Sequence, residues 1–272
     1  MKKNHILGAM YIVVALILLA IMVGNIFKSQ SKAERENAYS AKDVSKVRID
    51  LVSLSQEITA SSDNMLHVDF EDGAEEFCSF SKLNGKIIVK EKKNKALSFN
   101  QPHGSVLLAI PNDFSSTLNI ESVSGSVKIT DLKSDKIDLE SVSGSISISD
   151  CEIGSLKCES VSGSQKIFGK FARADLSTVS GSIDFASETP LTKNSEFSSV
   201  SGSISLEFPK DADYALSFES INGSFIDNIT GVSGKKSGLS QNGNGSTKLE
   251  VSTVSGSIKI FTNPASESER AL

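Results

Sequence analysis

Seven times between residues 123 and 258 the chain places a hydrophobic residue before Ser-Gly-Ser or Asn-Gly-Ser. The copies begin at Val123, Val142, Val161, Val179, Val200, Ile221 and Val254. Their glycines are Gly125, Gly144, Gly163, Gly181, Gly202, Gly223 and Gly256, at steps of 19, 19, 18, 21, 21 and 33 residues. A near-constant step of this length marks one structural unit that stacks on its neighbours, because a single unit of this size cannot bury its own apolar face.

Aligned on the glycine, the hydrophobic residues fall into columns. Two residues after it stand Val127, Ile146, Gln165, Ile183, Ile204, Phe225 and Ile258, and two further on Ile129, Ile148, Ile167, Phe185, Leu206, Asp227 and Ile260. Five before it are Ile120, Leu139, Cys158, Leu176, Phe197, Phe218 and Val251, and two before those Leu118, Ile137, Leu156, Ala174, Ser195, Leu216 and Leu249. Each unit therefore carries two short period-2 runs, one on either side of the turn, which is the pattern of half-buried strands. Gly, Ser and Thr interrupt every window long enough for a helix. The expected fold is all-β: a β-solenoid of stacked repeats of about 20 residues, like a parallel β-helix. A β-sandwich of ordinary hairpins is the alternative. The turn glycines are expected to take positive φ, and the flanking serines to bond local backbone.

The chain before the repeats is a different material. Residues 6–27 carry no charged side chain and are long enough to cross a bilayer core, so they are expected to form a transmembrane signal anchor. A cleavable signal peptide is the competing reading. Residues 1–5 would be cytoplasmic, 28–42 a polar stalk, and 43–110 leading rungs or an N-terminal cap. There Gly85 and Gly104 continue the spacing toward Gly125. The repeat solenoid would occupy 111–262, with an insertion at 231–245 that accounts for the long last step, and 263–272 a disordered tail. Insertions in repeat proteins emerge on one face, often the binding face. Lys235, Lys236, Gln241, Asn242 and Asn244 are therefore candidate interaction residues, against the plainer reading of a tolerated loop.

Charge and composition narrow the function. With Lys2 and Lys3 removed from the 28 basic residues, against 33 acidic ones, the part after the span carries about −7. That argues against nucleic acid as a partner. The three histidines show no metal-ligand spacing and no Cys-x-x-Cys is present, so no metal or cofactor is expected. Cys151 and Cys158 align with Leu132 and Leu139 and read as core residues, with a disulfide between them left open. Asp131 and Asp150 follow their strands at equivalent places and would line one ridge, as solvated turns before a catalytic pair. No His or Asp is placed to activate the repeated serines, so no catalytic residues are expected.

The stretch Val106-Leu-Leu-Ala-Ile-Pro111, followed by Leu118-x-Ile-Glu-Ser-Val-Ser-Gly-Ser-Val-x-Ile and its repeats, resembles the bacterial "putative adhesin" β-repeat family, which includes LiaG-like and YvlB-like cell-envelope proteins. The resemblance covers roughly 43–262. It implies a non-enzymatic, membrane-anchored envelope protein with its repeats outside the cytoplasm. The role would be in adhesion or envelope stress, with another envelope protein or a cell-surface ligand as partner. Many family copies place Asp after the Ser-Gly where this chain has Ser126, Ser145, Ser164, Ser182, Ser203, Ser224 and Ser257. A self-assembling scaffold, and less readily an envelope polysaccharide hydrolase or lyase, are the alternatives. Function is to be sought where the repeat fails, at Gln165, at Asp227 and in the insertion.

Overall fold

Each repeat becomes one coil because its two period-2 runs point their hydrophobic columns to the same side of a sharp turn. The structure, a computed structural model, describes residues 38–63, 65–92, 102–112, 114 and 117–262. The expected membrane span, the start of the stalk and the C-terminal tail lie outside the described residues. Among those described, no helix is long and apolar enough to cross a membrane.

Two faces of parallel strands run the length of the stack, and the hydrophobic columns are buried between them. Successive coils are β8 (Thr117–Ser122) with β9 (Val127–Thr130), then β10 (Lys133–Ser141), leading into the long bent β11 (Ile146–Ser160) that serves both faces. Next come β12 (Gln165–Phe171), β13 (Ala174–Thr178) with β14 (Ile183–Ser187), and β15 (Ser195–Ser201) with β16 (Ile204–Phe208). Registers match the sequence columns: Ile120, Leu139, Cys158, Leu176 and Phe197 pair across consecutive strands. All four columns are buried, including their polar members Gln165, Ser195 and Asp227. Full burial of each Val, Ile, Leu or Phe contributes about 1.5–3 kcal/mol, so the columns drive the stacking.

Chain order and stack order part company at both ends. The last coil, β21 (Thr247–Ser255) with β22 (Ser257–Thr262), lies between β15/β16 and the preceding coil, β17 (Tyr214–Ser220) with β18 (Ser224–Asp227). The insertion is not an open loop. Its strands β19 (Val232–Gly234) and β20 (Ser237–Asn242) pair antiparallel with β18 and β17 and close the stack.

At the other end the first full coil, β2 (Lys46–Leu51) with β3 (Ser55–Ala60), lies between β8/β9 and a coil made by β6 (Lys86–Glu91) and β7 (Ser105–Ile110). Beyond it β5 (Cys78–Leu83) and β4 (Met65–Glu71) run antiparallel to β6 and β7, and β1 (Ala38–Ser40) edges β4. A single helical turn, α1 (Ala74–Phe77), joins β4 to β5. The region 43–110 thus holds both leading coils and a cap.

The seven turn glycines do not take positive φ, contrary to the sequence expectation. Their need is stacking. A Cβ on Gly144 would lie 2.0 Å from the Gly125 carbonyl oxygen, and one on Gly163 2.1 Å from that of Gly144. Every turn sits so tightly on its neighbour that no side chain fits between them. Gly85 and Gly104 do have positive φ, and they mark other turns, the β5–β6 hairpin and the approach to β7.

The true first copy of the turn is Val52-Ser53-Leu54-Ser55, since the Gly125 position stacks on the Leu54 carbonyl. The N–H groups of Val123 and Ser124 donate to Leu51 and Val52. Sequence reasoning missed this copy because its glycine is a leucine, although Val47, Ile49, Gln56 and Ile58 fit all four columns.

Candidate interaction surface

The serines of the turn work between coils more than within them. Ser124 Oγ donates to the Val52 carbonyl at 3.0 Å and Ser143 Oγ to that of Val123 at 3.1 Å. Second serines meet hydroxyl to hydroxyl, as Ser126 with Ser55 at 3.0 Å. Inside the corner runs another column that the sequence reading did not single out: Ser122, Ser141, Ser160, Thr178, Ser199, Thr253 and Ser220, all buried. Ser122 Oγ donates to the Gly125 carbonyl at 2.8 Å and Ser160 Oγ to that of Gly163 at 3.2 Å. The signal was a Ser or Thr three residues before every glycine. Gln165, one of the irregular positions, joins this network, its Nε2 donating to Ser160 Oγ at 3.0 Å and to the Ser177 carbonyl at 2.7 Å. These groups hold the corner together.

At the opposite corner Asp131 and Asp150 take left-handed φ of 53° and 58°, which Asp tolerates better than most residues. They border a groove of about 340 Å³ with Glu152, Glu188, Lys133 and Lys170. Lys133 pairs with Glu152 at 2.8 Å. The two Asp carboxylates read as the turn formers the sequence suggested. Cys151 and Cys158 are buried thiols not joined in a disulfide, Cys78 is buried too, and burial pushes the Cys151 thiol up to about 11. Among the described residues no group of three His, Cys, Asp or Glu side chains is arranged to hold a metal.

The outward side chains of the face that carries β8, β10 and β11 stack in register. One column runs Asp50, Glu121, Glu140, Glu159, and the next Arg48, Asn119, Asp138, Lys157, Asp175, Glu196, Glu250. Like charges one strand apart, about 4.8 Å, repel unless protonated or offset. Arg48 bridges Asp50 at 2.6 Å and Glu121 at 2.7 Å, and Lys157 meets Glu159 at 2.9 Å. Burial, then Asp50 and Glu140, push the Glu121 carboxyl up to about 7 against the pull of Arg48. Burial and Glu159 raise Glu140, and burial with Glu250 raises Glu196. The other face is mixed, Glu57, Lys128, Ser147, Lys166, Asp184, Ser205 and Lys259 following one another.

The candidate residues of the insertion separate in the cap. Lys235, Lys236, Gln241 and Asn244 are exposed. Lys236 takes a φ of 78° and its carbonyl accepts the Ser220 N–H over the last turn. Asn242 is committed to structure, its Nδ2 donating to the Ala212 carbonyl at 2.6 Å. Asp227, the other irregular position, is a buried carboxylate that closes the cap. It accepts Tyr214 Oη at 2.8 Å, Ser240 Oγ at 2.6 Å, and the N–H groups of Ile229 and Thr230 at 2.9 and 3.2 Å.

This fold of coils with antiparallel closures extends over nearly all the described chain, and the Toastrack DUF4097 family model matches residues 32–261. The chain belongs to the Toastrack DUF4097 family. No curated protein matches it. Among solved structures it is similar to a "putative adhesin" from Bacteroides fragilis NCTC 9343, 16% identical, covering 85% of this chain and 100% of that one with a TM-score of 0.51. It is also similar to a "putative adhesin" and a "putative lipid binding protein" from Parabacteroides distasonis ATCC 8503. These are 14% and 16% identical, cover 82% and 83% of this chain and 94% and 95% of theirs, and have TM-scores of 0.41 and 0.39. The Bacteroides likeness supports the Toastrack fold and nothing finer.

Proposed function

We propose that this Toastrack chain is a non-enzymatic binding module of the bacterial cell envelope, anchored in the membrane by residues 6–27 with its coils outside the cytoplasm. Its partner would be a cell-surface ligand or another envelope protein, in an adhesive or stress-associated role. The observation that carries the reading is the pair of extended faces, whose outward side chains repeat in register from coil to coil. Such a surface suits contact with an extended partner, while the turns and corners are occupied with holding the coils together. The charged columns support a face that recognises by pattern.

The test is in-cell photocrosslinking from outward positions Ser177 and Ser198 on the acidic face and from Lys235 in the cap, with protease treatment of intact cells. Capture of an envelope protein or surface polymer, with coils accessible to the protease, is the expected result. Capture confined to cytoplasmic proteins, or a domain untouched by the protease, would overturn it.

A further inference from the structure

A solenoid must end somewhere, and an end strand offers unpaired N–H and C=O groups to another chain. Natural edges are blunted with charge, proline or a bulge. The C-terminal closure uses none of these on β20, whose six residues, Ser-Gly-Leu-Ser-Gln-Asn, carry no charge and no proline. Leu239 at its centre is 79% exposed, the highest among the exposed large hydrophobics of the described residues. Beneath it the cap is finished. Ser240 is tied to Asp227, and Gly238 lies against the Phe218 ring, which stacks on Phe225 with centroids 3.8 Å apart.

We infer that the C-terminal end pairs with the same end of a second copy of this chain, β20 against β20 in antiparallel register. Both faces stop together here, one at β20 and one at β19. A two-fold axis normal to the faces sets both edges of one copy against both edges of the other. A lone extended peptide would satisfy one edge only, whereas a second copy brings two edges at matched separation. The chain carries a net charge of −5, but the strand that meets its twin is neutral, so the approach is not opposed by like charge at the contact.

Pleat parity fixes the register. Ser237, Leu239 and Gln241 point outward and Ser240 inward, so outward residues must oppose outward residues. Leu239 facing its own counterpart buries the two exposed leucines on each other, with Ser237 opposite Gln241. A closed two-fold pair is also the commonest form of self-association. Because the strands are short, the dimer is concentration-dependent.

The experiment uses the full-length chain, solubilised, with Leu239→Cys under mild oxidation. The native Cys78, Cys151 and Cys158 are buried and stay silent. Leu83→Cys, on the N-terminal edge strand β5 and 68% exposed, is the control. The expected result is a disulfide-linked dimer for Leu239→Cys well above the Leu83→Cys background, and loss of the concentration-dependent dimer in sedimentation for Leu239→Lys. Both side chains project into solvent, so circular dichroism should be unchanged. Crosslinking at Leu239→Cys no better than the control would overturn the inference. So would preferential heterodimers in a mixture of the two variants, since those signify head-to-tail stacking.

Discussion

The two ends of the stack solve one problem with different chemistry. At each, the first or last full coil is slotted one place inward and an antiparallel strand is laid over the coil beyond it. The N-terminal end must satisfy turn N–H groups that have a coil beneath them but no stacked turn. Glu91 does this, its Oε2 accepting the N–H groups of Val52, Ser53 and Leu54 at 2.8, 2.8 and 3.1 Å and its Oε1 the Ser53 hydroxyl at 2.8 Å. With no turn stacked below it, that position can carry the Leu54 side chain where every later copy needs glycine. The C-terminal end has its carboxylate, Asp227, inside the cap, bonded to two hydroxyls and two N–H groups. Charge at the N-terminal end therefore replaces a missing turn, whereas at the C-terminal end it pins a strand that is itself neutral. The lesson is that glycine in this repeat is a demand of the neighbour and disappears when the neighbour does.

The sharpest way to break that comparison is to put a side chain in the middle. Gly163→Ala sets a Cβ 2.1 Å from a backbone carbonyl oxygen that cannot move without opening the stack. Loss of the native fold is expected, read as absence of a cooperative thermal transition, and a Gly163→Ala protein with near-native melting would refute the stacking argument.

Next in size is Glu91→Ala. It leaves three N–H groups without acceptors, at about 1–3 kcal/mol for each that is truly buried. A loss of about 3 kcal/mol or more in denaturant unfolding is expected, with Glu91→Gln recovering much of it because one amide oxygen can still accept. Asp227→Ala should cost somewhat less, about 2–3 kcal/mol, since the Tyr214 and Ser240 hydroxyls can turn toward other acceptors. Equal losses at the two ends would erase the distinction drawn between them.

The coils themselves were legible because their columns repeat at the turn: Leu118 to Ile260 land inside as the alignment places them, and so does Cys158. Their order was not. Interchangeable columns let any coil pair with any other, so nothing local says that β21/β22 slips between β15/β16 and β17/β18. The step of 33 residues read as a loop because the cap packs Gly234 and Gly238 on Phe218, and glycines leave no hydrophobic column to find. Val52-Ser-Leu-Ser escaped notice for the reverse reason. Its leucine is permitted because no turn stacks below it, and its N–H is accepted by Glu91, 37 residues downstream. At the candidate surface, Lys235 and Lys236 were read from the sequence as part of a loop in the insertion, which the structure folds into the C-terminal closure, but the acidic columns arise from register between strands about 20 residues apart. The candidate Asn242 proved to be a structural tether.

A smaller effect separates the halves of the acidic face. Glu121, its carboxyl raised to about 7 by burial and by Asp50 and Glu140, favours the folded state when protonated. The raised value means that this stabilisation is complete below the ordinary carboxylate range and is lost as pH rises through about 7. Arg48 offsets part of the repulsion and solvent screens some of the rest. A loss of about 1–2 kcal/mol is therefore expected between pH 5 and 8. Thermal melting should follow it, and Glu121→Gln should flatten the profile. Hydrogen exchange in β8 to β10 should rise with pH more than in β13, where Ser177 takes the place of the stacked carboxylates. A profile unchanged by Glu121→Gln would place the titration elsewhere.

The smallest expected effect returns to the N-terminal closure. Lys82 on β5 holds its ammonium 4.7 Å from the centre of the Tyr39 ring, and that ring stacks on Phe80 with centroids 5.4 Å apart. The C-terminal counterpart is the Phe218–Phe225 stack, which involves no charge. Lys82→Ala should lower stability by about 0.5–1 kcal/mol, the range for a cation–ring contact whose ammonium solvent still reaches, as at the half-buried Lys82. Lys82→Met separates the contributions, since it keeps an apolar stem over the ring and discards the charge. If Lys82→Met is as stable as the natural chain, packing alone closes this end and it works as the other does. If Lys82→Met loses nearly as much as Lys82→Ala, the ammonium is an electrostatic element of the N-terminal closure, as Glu91 is, and the two ends differ in kind.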